Sequence, residues 1–188
     1  MPNDFVFRDQ LPIAPLKIAA LESCYDFAKK VNDYIVEFRR NDTTELMNSK
    51  MDLHYRGYDC DHYLLDISCP RFGSGEAKGV IHESVRGADV FVMVDVLNHS
   101  LSYKLNGFTN YMSPDDHYQD LKRIISASIS TAKRVNVIMP FLYESRQHKK
   151  TKRESLDCAL ALRELVDMGV SNIITFDAHD PRVQNSIP

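Results

Sequence analysis

The chain has 188 residues, 44% of them apolar and 26% charged, with a formal net charge of -3. At roughly 100–200 residues per domain this is one α/β-sized domain, and the apolar fraction excludes wholesale disorder. Mean hydropathy is -0.32 and the pI is near 6.1. No apolar run reaches the roughly 20 residues that cross a bilayer, so no membrane is expected as a partner. The slightly acidic balance gives no electrostatic match to a nucleic acid. Cys24, Cys60, Cys69 and Cys158 are scattered without a C-x-x-C pair. Such spacing fits reduced thiols in the cytoplasm rather than a disulfide scaffold or a zinc site.

Strands and helices alternate along the chain. Leu16–Leu21 is a short apolar run, and Glu22–Arg40 places apolar residues at helical spacing. Residues 41–61 are polar and aperiodic and read as a surface insertion. Asp59, Cys60, Asp61 and His62, with Asp52 and His54, resemble a metal set there, but a solvated loop is the simpler reading. His62–Ile67 reads as a strand that runs into the loop Arg71-Phe-Gly-Ser-Gly-Glu76. Ala88–Asp95 is nearly continuous in Val and Phe, the pattern of a strand buried on both faces of a parallel sheet.

Residues 98–112 read as a long polar loop. Ser113-Pro114-Asp115-Asp116 is a helix start, with an N-cap Ser, Pro at the first position and acids in the first turn. The helix is expected to reach about Ala132. Arg134–Met139 is a second buried strand, stopped by Pro140. The segment from Tyr143 to Arg153 is polar and basic. Glu154–Met168 is helical in spacing, with Gly169 as its left-handed cap. Ser171–Phe176 is the last strand, and Asp177-Ala-His179-Asp180 follows it. The alternation predicts an α/β fold with a mainly parallel sheet. Ligands in such folds bind outside the carboxyl ends of the strands, and 71–76, 143–153 and 177–180 are each expected at such an end.

Each of these segments has a chemical and a plain reading. Residues 146–153 hold five formal positive charges in eight positions. This suits an oligophosphate, because Arg and Lys neutralise phosphate oxygens. A solvated basic loop or a localisation signal reads the same way. Asp177 and His179 suit a divalent metal or a proton transfer, or else a structural hydrogen bond. Loop 71–76 offers close backbone approach, an aromatic for stacking and a carboxylate, or else a plain turn.

Four motifs stand in one order: Arg71-Phe-Gly-Ser-Gly-Glu76, Glu83-Ser-Val-Arg-Gly-Ala-Asp89, Arg146-Gln-His-Lys-Lys150, and Ile173-Ile-Thr-Phe-Asp-Ala-His179 with Gln184 beyond. Together they resemble the N-terminal half of the ribose-phosphate pyrophosphokinases, the phosphoribosyl pyrophosphate (PRPP) synthetases. The resemblance implies a three-layer, phosphoribosyltransferase-like α/β domain over residues 1–188, with a second domain expected beyond it. It implies transfer of the diphosphoryl group of Mg-ATP to the 1-hydroxyl of ribose 5-phosphate, giving PRPP and AMP. This domain alone is expected to be inactive. Arg146 and Gln147 would contact ATP. Phe72, Ser74 and Glu76 would reach the adenine of ATP held by a neighbouring subunit of a dimer or hexamer. His179 would be catalytic and, with Asp177, would serve magnesium. Where the family commonly has Asp, this chain has His148 and Thr151. These departures feed an alternative, a catalytically silent regulatory homologue that co-assembles with active subunits.

Overall fold

A computed structural model describes residues 12–48, 57, 58 and 60–186. Four parallel strands form the central sheet in the order β1-β4-β7-β8: β1 is Leu16–Ala20, β4 Asp89–Met93, β7 Arg134–Ile138 and β8 Asn172–Ile174. Asp89 stands opposite Leu16 on one side and Arg134 on the other, and Asn136 faces Asn172. Alternate residues along these strands serve opposite faces. Ile18, Ala20 and Met93 pack beneath helix α1, Tyr25–Asn48, through Ala28 and Val36. Ala19, Val90, Val92, Val135 and Val137 pack against helix α2, Pro114–Ser128, and helix α3, Asp157–Asp167. Helices on both faces make three layers, as expected. The valine runs of β4 and β7 lie at the centre because only strands covered on both sides bury every side chain.

The helix starts and ends follow local chemistry. Ser113 and Asp116 form a reciprocal capping box ahead of Pro114, so α2 begins where its sequence predicts. It ends at Ser128, four residues before Ala132. The chain then turns through Thr131, whose carbonyl accepts from the Gly87 N–H. Helix α3 begins at Asp157, three residues after Glu154. The Glu154 carboxylate instead accepts from the Thr151 N–H and hydroxyl, closing the loop before the helix. Gly169 ends the helix at φ +93, as expected of a left-handed cap.

Three readings need correction. Helix α1 continues to Asn48, so the first part of the 41–61 segment is helical. Asp52, His54 and Asp59 lie outside the described residues. The strand expected at 62–67 is almost wholly absent. Only Leu64 bridges β1, at Ile18, and β2 is just Ile67–Ser68. Two ladder bonds to β1 remain, the Ile18 N–H donating to the Tyr63 carbonyl and the Leu65 N–H to the Ile18 carbonyl, and side chains take the next donors: the Tyr63 N–H donates to Asn32 Oδ1, and the Asp66 N–H donates to Glu83 Oε1. Residues 98–112 are a hairpin, not a loop. Strand β5, Ser102–Leu105, pairs antiparallel with β6, Phe108–Tyr111. Asn106 at φ 51 and Gly107 at φ 84 make the turn, both left-handed as a two-residue primed turn requires.

Strand β2 pairs with β3, Val80–Ile81, in a second small hairpin that lies on α2. Gly79 permits that contact, since a Cβ there would stand 2.6 Å from the backbone carbonyl of Arg123. Gly79→Ala is expected to lift the hairpin from α2 at a cost of about 1–3 kcal/mol. Urea denaturation would measure it, and an unchanged midpoint would refute the close packing.

Candidate functional site

Two segments meet at the carboxyl edge of the sheet because β7 and β8 stay paired beyond their ends. Phe141 bridges Asp177 in parallel, the Asp177 N–H donates to the Pro140 carbonyl, and the Leu142 N–H donates to the Asp177 carbonyl. The chain then turns tightly. Glu144 adopts φ 56, and the N–H groups of Ser145 and Gln147 return to the carbonyls of Leu142 and Glu144. This turn projects Arg146 into solvent, its guanidinium 5.8 Å from the Phe141 ring. Gln147 turns the other way. Its Nε2 donates to the Ser155 carbonyl at 2.7 Å and more weakly to that of Lys149, pinning the two ends of the basic loop together.

Lys149, Lys150, Lys152 and Arg153 are exposed, and among the described residues none of them has an ion pair. On the facing segment, Asp177 and His179 are both exposed. The ring of His179 stands 5.9 Å from that of His148.

His148 is itself nearly buried, with Nδ1 3.2 Å from the Ser145 carbonyl and Nε2 3.3 Å from Asp180 Oδ2. Arg182 completes the contact, donating to Asp180 and approaching His148 Nε2 at 3.3 Å. The Arg182 hydrogen bonds hold the Asp180 carboxyl well below the usual carboxylate range. This clamp ties the basic loop to the segment after β8. The sequence reading missed it, although Asp180-x-Arg182 directly after Asp-x-His was its visible trace. The Ser145 hydroxyl is fully buried and has no hydrogen-bond partner among the described residues.

The structure thus sets the segment that carries Arg146 and Gln147 beside the one that carries Asp177 and His179, with His148 the side chain that joins them. It does not bring Phe72, Ser74 and Glu76 to them within one chain. Loop 71–76 is not at the carboxyl end of a central strand, as expected, but at the tip of the β2–β3 hairpin. Arg71 bridges Ala77, the Phe72 N–H donates to the Glu76 carbonyl, and Gly75 turns at φ +92. The tip packs on the β5–β6 hairpin, with Arg71 4.9 Å from the Tyr103 ring. Phe72 is half exposed, and the Ser74 hydroxyl donates to Glu76 Oε2 at 2.7 Å. A cavity of about 800 Å³ opens beside this tip, walled by Leu64, Leu65, Tyr103 and Met112, and it includes neither Arg146 nor His179.

All four cysteines are free thiols. Burial pushes Cys24 and Cys69 up to about 12, which leaves them protonated and inert as nucleophiles. Among the described residues no three His, Cys, Asp or Glu side chains converge on one point. Magnesium keeps its waters and is bound through one or two carboxylates besides substrate phosphates, so Asp177 is a donor of the right kind, whereas the His179 imidazole is a softer one.

A parallel sheet with helices on both faces, and a cationic loop beside the carboxyl ends of β7 and β8, places this domain in the three-layer α/β class. A family model described as the N-terminal domain of ribose phosphate pyrophosphokinase matches residues 16–169, and the chain belongs to that family. It is 32% identical over 119 residues to a ribose-phosphate pyrophosphokinase of Corynebacterium ammoniagenes, an alignment covering 62% of this chain and 33% of the relative. It is 35% identical over 121 residues to ribose-phosphate pyrophosphokinase 1 of Schizosaccharomyces pombe, covering 63% of this chain and 26% of that one. The fold matches the crystal structure of phosphoribosylpyrophosphate synthetase from Mycobacterium smegmatis with a TM-score of 0.67 at 22% identity, covering 92% of this chain and 46% of the other. The matched region is a third or less of these two curated relatives. No helix among the described residues is long and apolar enough to cross a membrane.

Proposed function

We propose that residues 1–188 form the ATP-side domain of a ribose-phosphate diphosphokinase, which moves the diphosphoryl group of ATP to the 1-hydroxyl of ribose 5-phosphate. One observation carries this reading: exposed cations with no ion pair among the described residues lie on a segment that the sheet keeps in register with the exposed Asp177 and His179. Phosphoryl transfer depends mainly on positioning and charge neutralisation, and this edge offers both. The Arg146 fork binds phosphate oxygens, while Lys149, Lys150, Lys152 and Arg153 attract and hold the polyphosphate. Gln147 uses its amide nitrogen to fix the loop and keeps its amide oxygen for ATP. Asp177, with His179 beside it, would hold magnesium, which when bound would neutralise charge on the phosphates. His179 is the residue nearest the chemistry.

Phe72, Ser74 and Glu76 serve ATP on a neighbouring copy, in a dimer or hexamer. Their position on a hairpin tip, apart from Arg146 in their own chain, supports this. The ribose 5-phosphate site belongs to a second domain.

The test is calorimetric titration of residues 1–188 with ATP and magnesium, followed by an assay with ribose 5-phosphate. Binding without AMP formation is expected. AMP formed by this chain alone would overturn the division between domains, and no ATP binding would overturn the ATP-side assignment. The silent regulatory reading draws on His148 and its clamp with Asp180 and Arg182. The same assay on a polypeptide carrying the second domain separates the two, because a silent homologue forms no AMP there either.

A further inference from the structure

The backbone ties between the two segments of the candidate site run out early. The last of them join Pro140 and Leu142 to Asp177. Past that point, among the described residues, every hydrogen bond and ion pair between 143–153 and 178–186 passes through one side chain, His148. The loop that carries it needs such a tie. Arg146, Lys149, Lys150, Lys152 and Arg153 repel one another and would spread a free segment. The turn that begins it is held by two backbone hydrogen bonds and passes through Glu144 in a left-handed conformation at φ 56.

His148 has the geometry of a brace and not of a ligand-binding group. Its side chain is 7% exposed, whereas Arg146 and His179 on either side of it are open to solvent. Nδ1 lies 3.2 Å from the Ser145 carbonyl. A carbonyl only accepts, so the hydrogen of that bond is on Nδ1. In the neutral ring Nε2 is then an acceptor, and Arg182 Nη2 stands 3.3 Å from it. Arg182 is fixed in turn by Asp180, whose Oδ1 accepts from Arg182 Nε at 2.7 Å and from its backbone N–H at 2.8 Å. Both ring nitrogens are thus occupied inside the protein, one on the turn that carries Arg146 and the other on the segment that carries His179. The His148 and His179 rings stand 5.9 Å apart, tilted by 44°. Resting on the ATP-side assignment of this edge, we propose that His148 is a positioning residue, which locks the turn presenting Arg146 to the segment presenting Asp177 and His179. A cationic loop ordered before its ligand arrives removes that ordering cost from binding.

Calorimetric titration of the 188-residue chain with ATP and magnesium tests this, with circular dichroism to verify folding. Two substitutions split the contacts of the ring. His148→Asn keeps an amide N–H where Nδ1 stands, for the Ser145 carbonyl, but falls short of Arg182. His148→Gln carries its amide out to the position of Nε2 and keeps the tie. His148→Asn is expected to weaken ATP binding about tenfold, and His148→Gln no more than about twofold. In an Arg146→Ala background most of the loss from His148→Asn should vanish, because a residue that acts through another is not additive with it, whereas a merely structural loss adds in full. Undiminished affinity in His148→Asn would overturn the positioning role alone. So would equal losses in His148→Gln and His148→Asn, or losses from Arg146→Ala and His148→Asn that add. No ATP binding by the parent chain would instead overturn the ATP-side assignment, and the positioning role with it.

Discussion

Replacing Asp120 with alanine is expected to destabilise the fold by about 3–5 kcal/mol. Asp120 is almost fully buried and accepts from Arg71 Nη2 at 2.8 Å and from Arg123 Nη1 at 2.5 Å. Both guanidinium groups are themselves largely covered. Burial raises the Asp120 pKa, while Arg123 and Arg71 act to keep it ionised. Removing the carboxylate leaves two positive charges in a low-dielectric pocket, a far larger penalty than the pair's net contribution when intact. The midpoint of thermal unfolding should fall by about 10 °C. A loss under about 1 kcal/mol would mean that water reaches the site and screens it. Arg71 directly precedes Phe72, so the same substitution should free loop 71–76 and raise its amide exchange.

Arg146→Ala is expected to act in the opposite manner, on ligand and not on fold. Among the described residues the guanidinium has no hydrogen bond or ion pair and only approaches the Phe141 ring, at 5.8 Å. Its loss should leave the unfolding midpoint within about 0.5 kcal/mol of the parent. A charge-assisted hydrogen bond contributes about 1.5–3 kcal/mol, so ATP affinity should drop roughly ten- to a hundred-fold. Arg146→Lys should regain only part of this, because an ammonium lacks the planar fork. Calorimetric titration checks both variants. Equal affinities in parent and Arg146→Ala would remove Arg146 from the ATP site.

The parts of this fold legible in sequence were those decided locally. The valine runs of β4 and β7 state their burial outright, and Ser113 through Asp116 spell a helix start. The β5–β6 hairpin was also written locally, in Asn106-Gly107 between Tyr103-Lys-Leu105 and Phe108-Thr-Asn110, but the surrounding polar residues masked the turn signal. What could not be read depends on distant partners. The strand expected at 62–67 is held to a single bridge at Leu64, with Asn32, far back on α1, taking the Tyr63 N–H and Glu83 taking the Asp66 N–H. Loop 71–76 was misplaced for a related reason, since its preceding strand pairs with β3 instead of joining the central sheet. In the candidate site, Arg146, Gln147, Asp177 and His179 stand out as residue types in a pattern. The contact of His148 with Asp180 and Arg182 exists only once the chain has crossed α3 and returned.

The β5–β6 hairpin also bears on how chains of this kind vary in length. Its two ends are held together by the Met112 N–H donating to the Leu101 carbonyl, and it touches the body mainly through Tyr103 against Arg71 and Leu105 against Gly75. A segment whose ends already meet can be shortened or exchanged without altering the register of β4 or the start of α2. A chain shorter here by ten residues or so would therefore keep the same sheet and the same arrangement beside the ends of β7 and β8.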